Sequence, residues 1–123
     1  MKYRHFISIA LTSFALAATA QAQIKIGVIS SNTGPAALIG IPQKNTIPLL
    51  PTKIGDQKVE YIAYDDGSDP SATVTVLKKL ITEDKVDAII GPSSSPNAMA
   101  SLDFIAQAKM PMLAPVGTIA IVL

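Results

Sequence analysis

Four short apolar segments of this sequence each lead directly into a small polar elbow that contains glycine, serine or threonine. The segment-and-elbow pairs span residues 24–29 and 30–34, 59–64 and 65–68, 86–90 and 91–95, and 111–114 and 115–118. Short apolar runs that end at such residues are typical of strands, and in an open parallel sheet the carboxyl ends of the strands share one edge. Ligands of α/β proteins bind at this edge, so the pattern predicts one wall of a small-molecule site.

The segments between the strands carry helical signals. Asp69 followed by Pro70 is typical of a helix start, because Asp caps the first turn and Pro is tolerated at the first helical position. Pro96 starts a further helix that runs to about residue 109. The region 36–50 carries a weaker signal because prolines interrupt it, and we expect a short or kinked helix there.

Strands that alternate with helices form βαβ units with right-handed crossovers. We therefore predict an α/β fold in which an open, mostly parallel sheet with the strand order 2-1-3-4 carries helices on both faces. In this order the first and third strands flank the point where the winding reverses. The elbows 30–34 and 91–95 are then expected to line one crevice.

The N-terminal segment has the features of an export signal. Two basic residues precede an apolar stretch, 6–18, and residues 20–22 (AQA) fit the small-x-small cleavage pattern. We expect a signal peptide over 1–22 and a mature chain over 23–123 in the periplasm, with an N-terminal core helix as the alternative. No cysteine follows the signal, and no later apolar run approaches the 20 or so residues that a span requires, so we predict no membrane anchor in the mature chain.

The composition of the mature chain excludes several classes of site. Beyond residue 22 there is no arginine, histidine, cysteine or tryptophan, and the lysines and acidic residues nearly balance. Without His and Cys there is no Ser-His or Cys-His nucleophile and no ordinary zinc site. Without arginine there is no bidentate phosphate clamp, and no basic stripe suits nucleic acid. We expect a small domain that is not an enzyme and has no metal or cofactor; a serine hydrolase is the enzyme alternative, but it lacks a histidine base.

The third elbow is the strongest candidate for a ligand site. It places three hydroxyls, those of Ser93, Ser94 and Ser95, just before a predicted helix. The N–H groups at a helix N-terminus lack intrahelical partners, and with hydroxyls added they form an anion site that suits a carboxylate. Thr118 in the fourth elbow is expected to add a further hydroxyl. The alternative is plain capping, with Ser95 as the N-cap.

The other two elbows carry weaker signals. The elbow 30–34 has neither the G-x-G-x-x-G pattern of dinucleotide sites nor the spacing of a P-loop, which makes nucleotide binding a poor fit. Asp65, Asp66 and Asp69 suggest a metal site or a phospho-acceptor pocket. We favour the alternative, in which Asp65 and Asp66 form a solvated turn and Asp69 caps the following helix.

Four motifs, taken in order, resemble the N-terminal lobe of periplasmic solute-binding proteins of ABC transporters. The similar group is the leucine/isoleucine/valine-binding type, which has the type I periplasmic binding fold. The motifs are residues 24–35 (IKIGVISSNTGP), 64–70 (YDDGSDP), 85–92 (KVDAIIGP) and 111–115 (PMLAP). Each motif alone is weak, but the four in order behind an export signal are specific and cover essentially the whole mature chain.

The resemblance implies the substrate-binding component of an ABC importer, which binds branched-chain amino acids in the periplasm and delivers them to an ABC permease. It implies that the elbows after the third and fourth strands hold the carboxylate and ammonium groups of the ligand, while the first elbow lies at the mouth of the cleft. The implied ligand-binding residues are Ser93, Ser94, Ser95, Val116, Gly117, Thr118, Asn32 and Thr33.

Members of that family are much longer and have a second lobe that closes over the ligand. We therefore expect residues 23–123 to be a truncated, Rossmann-like single lobe with little or no measurable affinity for amino acids on its own. A ligand-sensing receptor domain of the same fold and a non-functional fragment are alternatives that the sequence leaves open. The solute and the oligomeric state are also left open.

Overall fold

A computed structural model describes residues 23–117, which form a five-stranded sheet flanked by three α-helices. The strands are β1 (Ile24–Ser30), β2 (Lys53–Ile54), β3 (Gln57–Asp65), β4 (Ala88–Ile90) and β5 (Met112–Leu113). The helices are α1 (Ala37–Asn45), α2 (Pro70–Thr82) and α3 (Ser95–Ala108), with a short 3-10 helix, Ile47–Leu49, after α1. The predicted signal peptide and Thr118 lie outside the described residues.

The strands are arranged in the order β2-β3-β1-β4-β5. The parallel strands β3, β1, β4 and β5 follow the predicted order, which confirms the open α/β sheet. The sequence did not predict β2, which pairs antiparallel with β3 at the outer edge across a turn at Gly55. A strand of two residues carries no periodicity, so no pattern could mark it.

The register of the sheet brings the elbows to one level. The last residue of β1, Ser30, lies opposite the last residue of β3, Asp65. On the other side of β1, Val28 lies opposite Ile90, the last residue of β4. The chains that leave β1, β3 and β4 therefore emerge together at the carboxyl edge of the sheet.

Helices cover both faces of the sheet, as predicted. Successive side chains of a strand point to opposite faces. Ile29 packs with Leu77 and Leu80 of α2 in the main core, whose buried residues are Ile29, Leu77, Leu80, Val86 and Ile89. The neighbouring Val28 faces the other side, where it lines a cavity beside α1 and the 3-10 helix. Each fully buried side chain of this size contributes about 1.5–3 kcal/mol to folding.

The helix starts follow from their first residues. The Asp69 carboxylate accepts a hydrogen bond of 2.7 Å from the N–H of Ala72, which confirms Asp69 as the N-cap of α2. Helix α3 starts one residue earlier than the capping interpretation predicted, because Ser94 and not Ser95 is its N-cap. Helix α1 is short and gives way to the 3-10 helix, whose first turn contains Pro48. Within residues 23–117, no helix has the length and apolar character needed to cross a bilayer.

Candidate ligand-binding site

The elbows that follow β1 and β4 are joined directly by a hydrogen bond. The N–H of Ser31 donates to the Oγ of Ser93 over 3.2 Å, and both residues are buried. The Ser31 hydroxyl in turn donates to Oδ1 of Asp66, in the elbow after β3, over 2.7 Å. Three elbows that are distant in sequence therefore meet at the carboxyl edge of the sheet.

The three serines of the elbow after β4 occupy different environments. Ser93 is 4% exposed, and its Oγ is used inside the protein by the Ser31 N–H. Ser94 and Ser95 are half-buried at the N-terminus of α3. Ser94 lines an open depression of about 300 Å³ together with residues from α1 and from the elbow after β3; the other lining residues are Pro35, Ala36, Ile39, Ser68, Pro96 and Asn97. Ser94 is thus the serine of this elbow that lines the depression.

The elbow after β1 is held by Asp65. The carboxylate of Asp65 accepts hydrogen bonds from the N–H of Asn32 at 2.8 Å, the N–H of Thr33 at 3.3 Å and the hydroxyl of Thr33 at 2.8 Å. The Oδ1 of Asn32 accepts a further bond of 3.0 Å from the Ser30 hydroxyl. These bonds engage polar groups of Asn32 and Thr33, two of the predicted site residues, and fix the shape of the loop.

The environment of Asp65 favours its charged form. The side chain is largely exposed, and the slight burial that it has opposes ionisation. The N–H of Gly67, the hydroxyl of Thr33 and the N–H groups of Asn32 and Thr33 all donate to it and together lower its pKa below the ordinary value. Asp65 is therefore a carboxylate at neutral pH, with its oxygens already engaged.

Asp66 has a structural role that the sequence interpretation missed. The expectation of a solvated turn was wrong for this residue, which is 1% exposed. Its Oδ1 accepts bonds from the Ser31 hydroxyl and, at 3.0 Å, from the Ser68 N–H. Its Oδ2 accepts bonds from the Thr73 hydroxyl at 2.9 Å and from Nδ2 of Asn97 at 2.7 Å. These donors satisfy a carboxylate that would be costly to bury alone.

The acidic cluster of the elbow after β3 does not support the metal-site alternative. Among residues 23–117 there is no group of three or more His, Cys, Asp or Glu side chains that could hold a metal ion. Asp65 and Asp66 are engaged by loop donors, and Asp69 caps α2. All three carboxylates therefore organise the turns at this edge.

A second concavity lies on the α1 side of the same edge, and the sequence did not predict it. It has a volume of about 220 Å³ and a mainly apolar lining. The lining residues are Val28, Ile29, Ser30, Gln43, Thr46, Ile47, Leu50, Ile90, Gly91 and Pro115. The predicted site residues of the fourth elbow follow Pro115 directly: Val116 is half-buried, Gly117 is exposed, and Thr118 lies outside the described residues.

Known proteins resemble this chain over most of its length. A family model described as periplasmic binding protein matches residues 23–120. The Leu/Ile/Val-binding protein homolog 6 of Brucella abortus is 32% identical over an alignment 111 residues long, which covers 85% of this chain and 28% of that protein. The chain therefore spans less than a third of the length of this curated relative.

Solved structures show the same likeness in three dimensions. An extracellular ligand-binding receptor from Rhodopseudomonas palustris HaA2 matches with 42% identity and a TM-score of 0.80, over 83% of this chain and 28% of the other. A solute binding protein of an ABC transporter from Rhodopseudomonas palustris BisB5, solved in complex with 3,4-dihydroxy benzoic acid, matches with 33% identity and a TM-score of 0.76. That match covers 80% of this chain and 29% of the other.

Proposed function

This chain belongs to the periplasmic binding protein family, with the type I fold, and we propose that it forms the first ligand-binding lobe of an exported solute-binding protein that serves an ABC importer. Under this proposal residues 1–22 are a signal peptide, residues 23–123 belong to the N-terminal lobe, and the chain works in the periplasm without catalysis. The relatives support this, because all of those described above are binding proteins or receptors by name.

The Ser94 hydroxyl at the N-terminus of α3 carries the proposal. Ser94 is the N-cap of this 14-residue helix, but its side chain makes no capping hydrogen bond, so its hydroxyl is available to a ligand. Pro96 has no N–H and the Ala98 N–H bonds to the Ser94 carbonyl, so the N–H groups of Ser95 and Asn97 are the donors of the first turn, where the helix dipole favours negative charge. We propose that Ser94 and Ser95 bind a ligand carboxylate here, with Val116, Gly117 and Thr118 on its other side and Asn32 and Thr33 at the mouth of the cleft.

The described edge of the sheet suits a carboxylate better than an ammonium group. An ammonium needs several free acceptors, and the carboxylates of Asp65, Asp66 and Asp69 already accept hydrogen bonds from the elbows and the start of α2. The N-terminus of α3 beside Ser94 supplies donors instead, which suit a carboxylate. We infer that the carboxylate is the part of the ligand that this lobe recognises.

Two ligand classes share that group. The name of the Brucella relative supports a branched-chain amino acid, and the complex with 3,4-dihydroxy benzoic acid supports an aromatic acid. The percentage identities to these two relatives are nearly equal, so they do not rank the two classes.

An NMR titration of the isotopically labelled chain tests the proposal. The probes are L-leucine and 3,4-dihydroxybenzoate, each paired with an analogue that lacks the carboxylate, namely L-leucinol and 1,2-dihydroxybenzene. We expect one of the acids to shift the amide signals of Ser94, Ser95 and Gly117 with a dissociation constant of about 1 mM or weaker, because one lobe supplies only part of the contacts.

The variants and analogues decide the outcome. Ser94→Ala is expected to abolish the shifts, whereas Ser71→Ala, which changes an exposed serine in the first turn of α2, leaves them unchanged. Equal shifts from the analogues that lack the carboxylate, or acid-induced shifts away from the N-terminus of α3, would contradict carboxylate binding at this elbow.

A further inference from the structure

We propose that Asp66 is the positioning residue of this site: its buried carboxylate holds the N-terminus of α3 in place against the elbow after β1. The inference rests on the proposed function, because the turn that Asp66 holds is the one proposed to bind the ligand. Asp66 is 1% exposed and is not among the residues that line the depression beside Ser94.

The hydrogen bonds of Asp66 fix the Ser94–Ser95 turn from both sides. On the N-terminal side, Asp66 accepts from the Ser31 hydroxyl, and the N–H of Ser31 donates to Ser93. On the C-terminal side, Asp66 accepts directly from Nδ2 of Asn97, which is 1% exposed. Ser93, directly before the turn, is therefore linked to the carboxylate through Ser31, and Asn97, two residues after the turn, bonds to it directly, which restricts movement of the turn relative to β1.

The charge of Asp66 also has an effect on this site. Among the described residues its hydrogen-bond donors are all neutral, and no lysine contacts it. It lies near the N-terminal turns of α2 and α3, since Thr73 and Asn97 belong to those turns, and neither helix has an acid of its own in the first turn. Its negative charge there stabilises both helix ends but opposes the binding of a second anion at α3.

The two effects predict opposite results for the neutral variant Asp66→Asn. If Asp66 acted only through its charge, the variant would bind a carboxylate more tightly, because a repulsive charge is removed. If Asp66 positions the turn, the variant binds more weakly. The Nδ2 of the new Asn cannot accept from Nδ2 of Asn97, so the Asn97 amide must rotate to present its Oδ1, and a neutral hydrogen bond replaces one to a carboxylate.

An exchange of the two side chains restores the bond. In Asp66→Asn with Asn97→Asp, the amide at 66 donates to the carboxylate at 97, while its Oδ1 still accepts from Ser31 and Ser68. Asn97→Asp alone places two carboxylates side by side without the amide donor that joins positions 66 and 97, so we expect it to weaken the turn. The Oδ1 of Asn97 has no hydrogen-bond partner among the described residues, so the exchange disturbs one other bond, that from the Thr73 hydroxyl to Oδ2 of residue 66. The Thr73 hydroxyl also donates to the Asp69 carbonyl, so it is able to accept from the new amide at 66.

The test compares the full chain with Asp66→Asn, Asn97→Asp, the exchange variant and Asp103→Asn, which neutralises an exposed acid on α3 as a matched control. Two quantities are measured by NMR: the hydrogen exchange rate of the Ser31 amide relative to the Ile29 amide in β1, and the affinity for L-leucine and 3,4-dihydroxybenzoate. We expect Asp66→Asn to raise the exchange ratio about tenfold, because a hydrogen bond to a carboxylate stabilises more than a neutral one, and to weaken binding by a similar factor.

The exchange variant is expected to return both quantities to within about threefold of the original chain, and Asp103→Asn to leave both unchanged. The proposal is overturned if Asp66→Asn binds more tightly, if it lowers overall stability with no change in the exchange ratio, or if the exchange variant recovers neither quantity. Where Asp66→Asn does not fold, the exchange variant is compared with Asn97→Asp instead. A lower exchange ratio and tighter binding in the exchange variant support the proposal, and no difference between the two overturns it. If the original chain binds neither probe, the proposed binding of a carboxylate by this lobe alone fails, while the exchange ratio still tests the positioning role.

Discussion

At Gly91, in the elbow after β4, a single added methyl group should lower the free energy of unfolding strongly. Its φ is +114°, a region that residues with a side chain rarely adopt. A Cβ built on it would overlap the carbonyl group of Ile29, in the central strand β1. The N–H of Gly91 also donates to the Leu113 carbonyl over 2.9 Å, so the backbone cannot turn away without breaking the contact with β5.

The expected cost of Gly91→Ala follows from two contributions. The strained φ costs about 1–3 kcal/mol. The displacement of the packed β1 backbone costs about 1–3 kcal/mol more, as for other overfilled cores. The sum, about 4 kcal/mol, is a large part of the 5–10 kcal/mol or so that holds a domain of about 100 residues together.

Gly55→Ala is the matched control, because it makes the same change at another positive φ. Gly55 has φ +58°, and nothing lies within 4 Å of the position that an added Cβ would occupy. Its replacement should cost about 1–2 kcal/mol, from the left-handed backbone alone. Urea unfolding followed by circular dichroism measures both free energies, provided that the slope with urea is unchanged. Equal losses for the two variants would refute the proposed clash with Ile29.

Three further predictions concern the core, the dependence of stability on pH in acid, and the start of α2. The Leu80 side chain is fully buried and packs against Gly27, so Leu80→Ala should lower the free energy of unfolding by about 2–5 kcal/mol. The control Leu49→Ala, at a side chain that is 83% exposed, should change that free energy by less than about 0.5 kcal/mol. Similar urea midpoints for the two variants would contradict the assigned core. Because hydrogen bonds lower the pKa of Asp65, its contribution is present above the ordinary aspartate pKa of about 3.9 and is lost as the pH falls through the lowered value. The difference in free energy of unfolding between the original chain and Asp65→Asn should therefore be constant near neutral pH and become smaller below about pH 4. A difference that grows in acid would contradict the lowered pKa of Asp65. Asp69→Ala should cost about 1 kcal/mol through the lost cap of α2, measured by the same urea unfolding, and no loss would argue against the bond to Ala72.

The elements that the sequence predicted well are those whose signals are local. Strand order followed from the alternation of apolar runs with helical segments, and the start of α2 followed from Asp69 and Pro70. The convergence of the elbows after β1 and β4 followed from the geometry of parallel sheets, and the bond from Ser31 to Ser93 confirms it.

The features that sequence reasoning missed depend on contacts between distant residues. The sequence around Asp66 predicts a solvated turn, because its partners Ser31 and Asn97 lie 35 and 31 positions away. The availability of Ser94, compared with the buried Ser93, depends on which hydroxyl the Ser31 N–H reaches. No local periodicity encodes either fact, and the short strand β2 is too brief to produce one.

The bonds that surround Asp66 also bear on how the domain assembles. Its four donors come from the β1 elbow, the β3 elbow, α2 and α3, and none of these elements shields the carboxylate fully until the others have docked. An intermediate that contains only the first half of the sheet would have to leave this charge in water or hold it without its partners. We therefore expect the segment from β1 to α3 to form in a single all-or-none transition, with no stable piece that lacks α3.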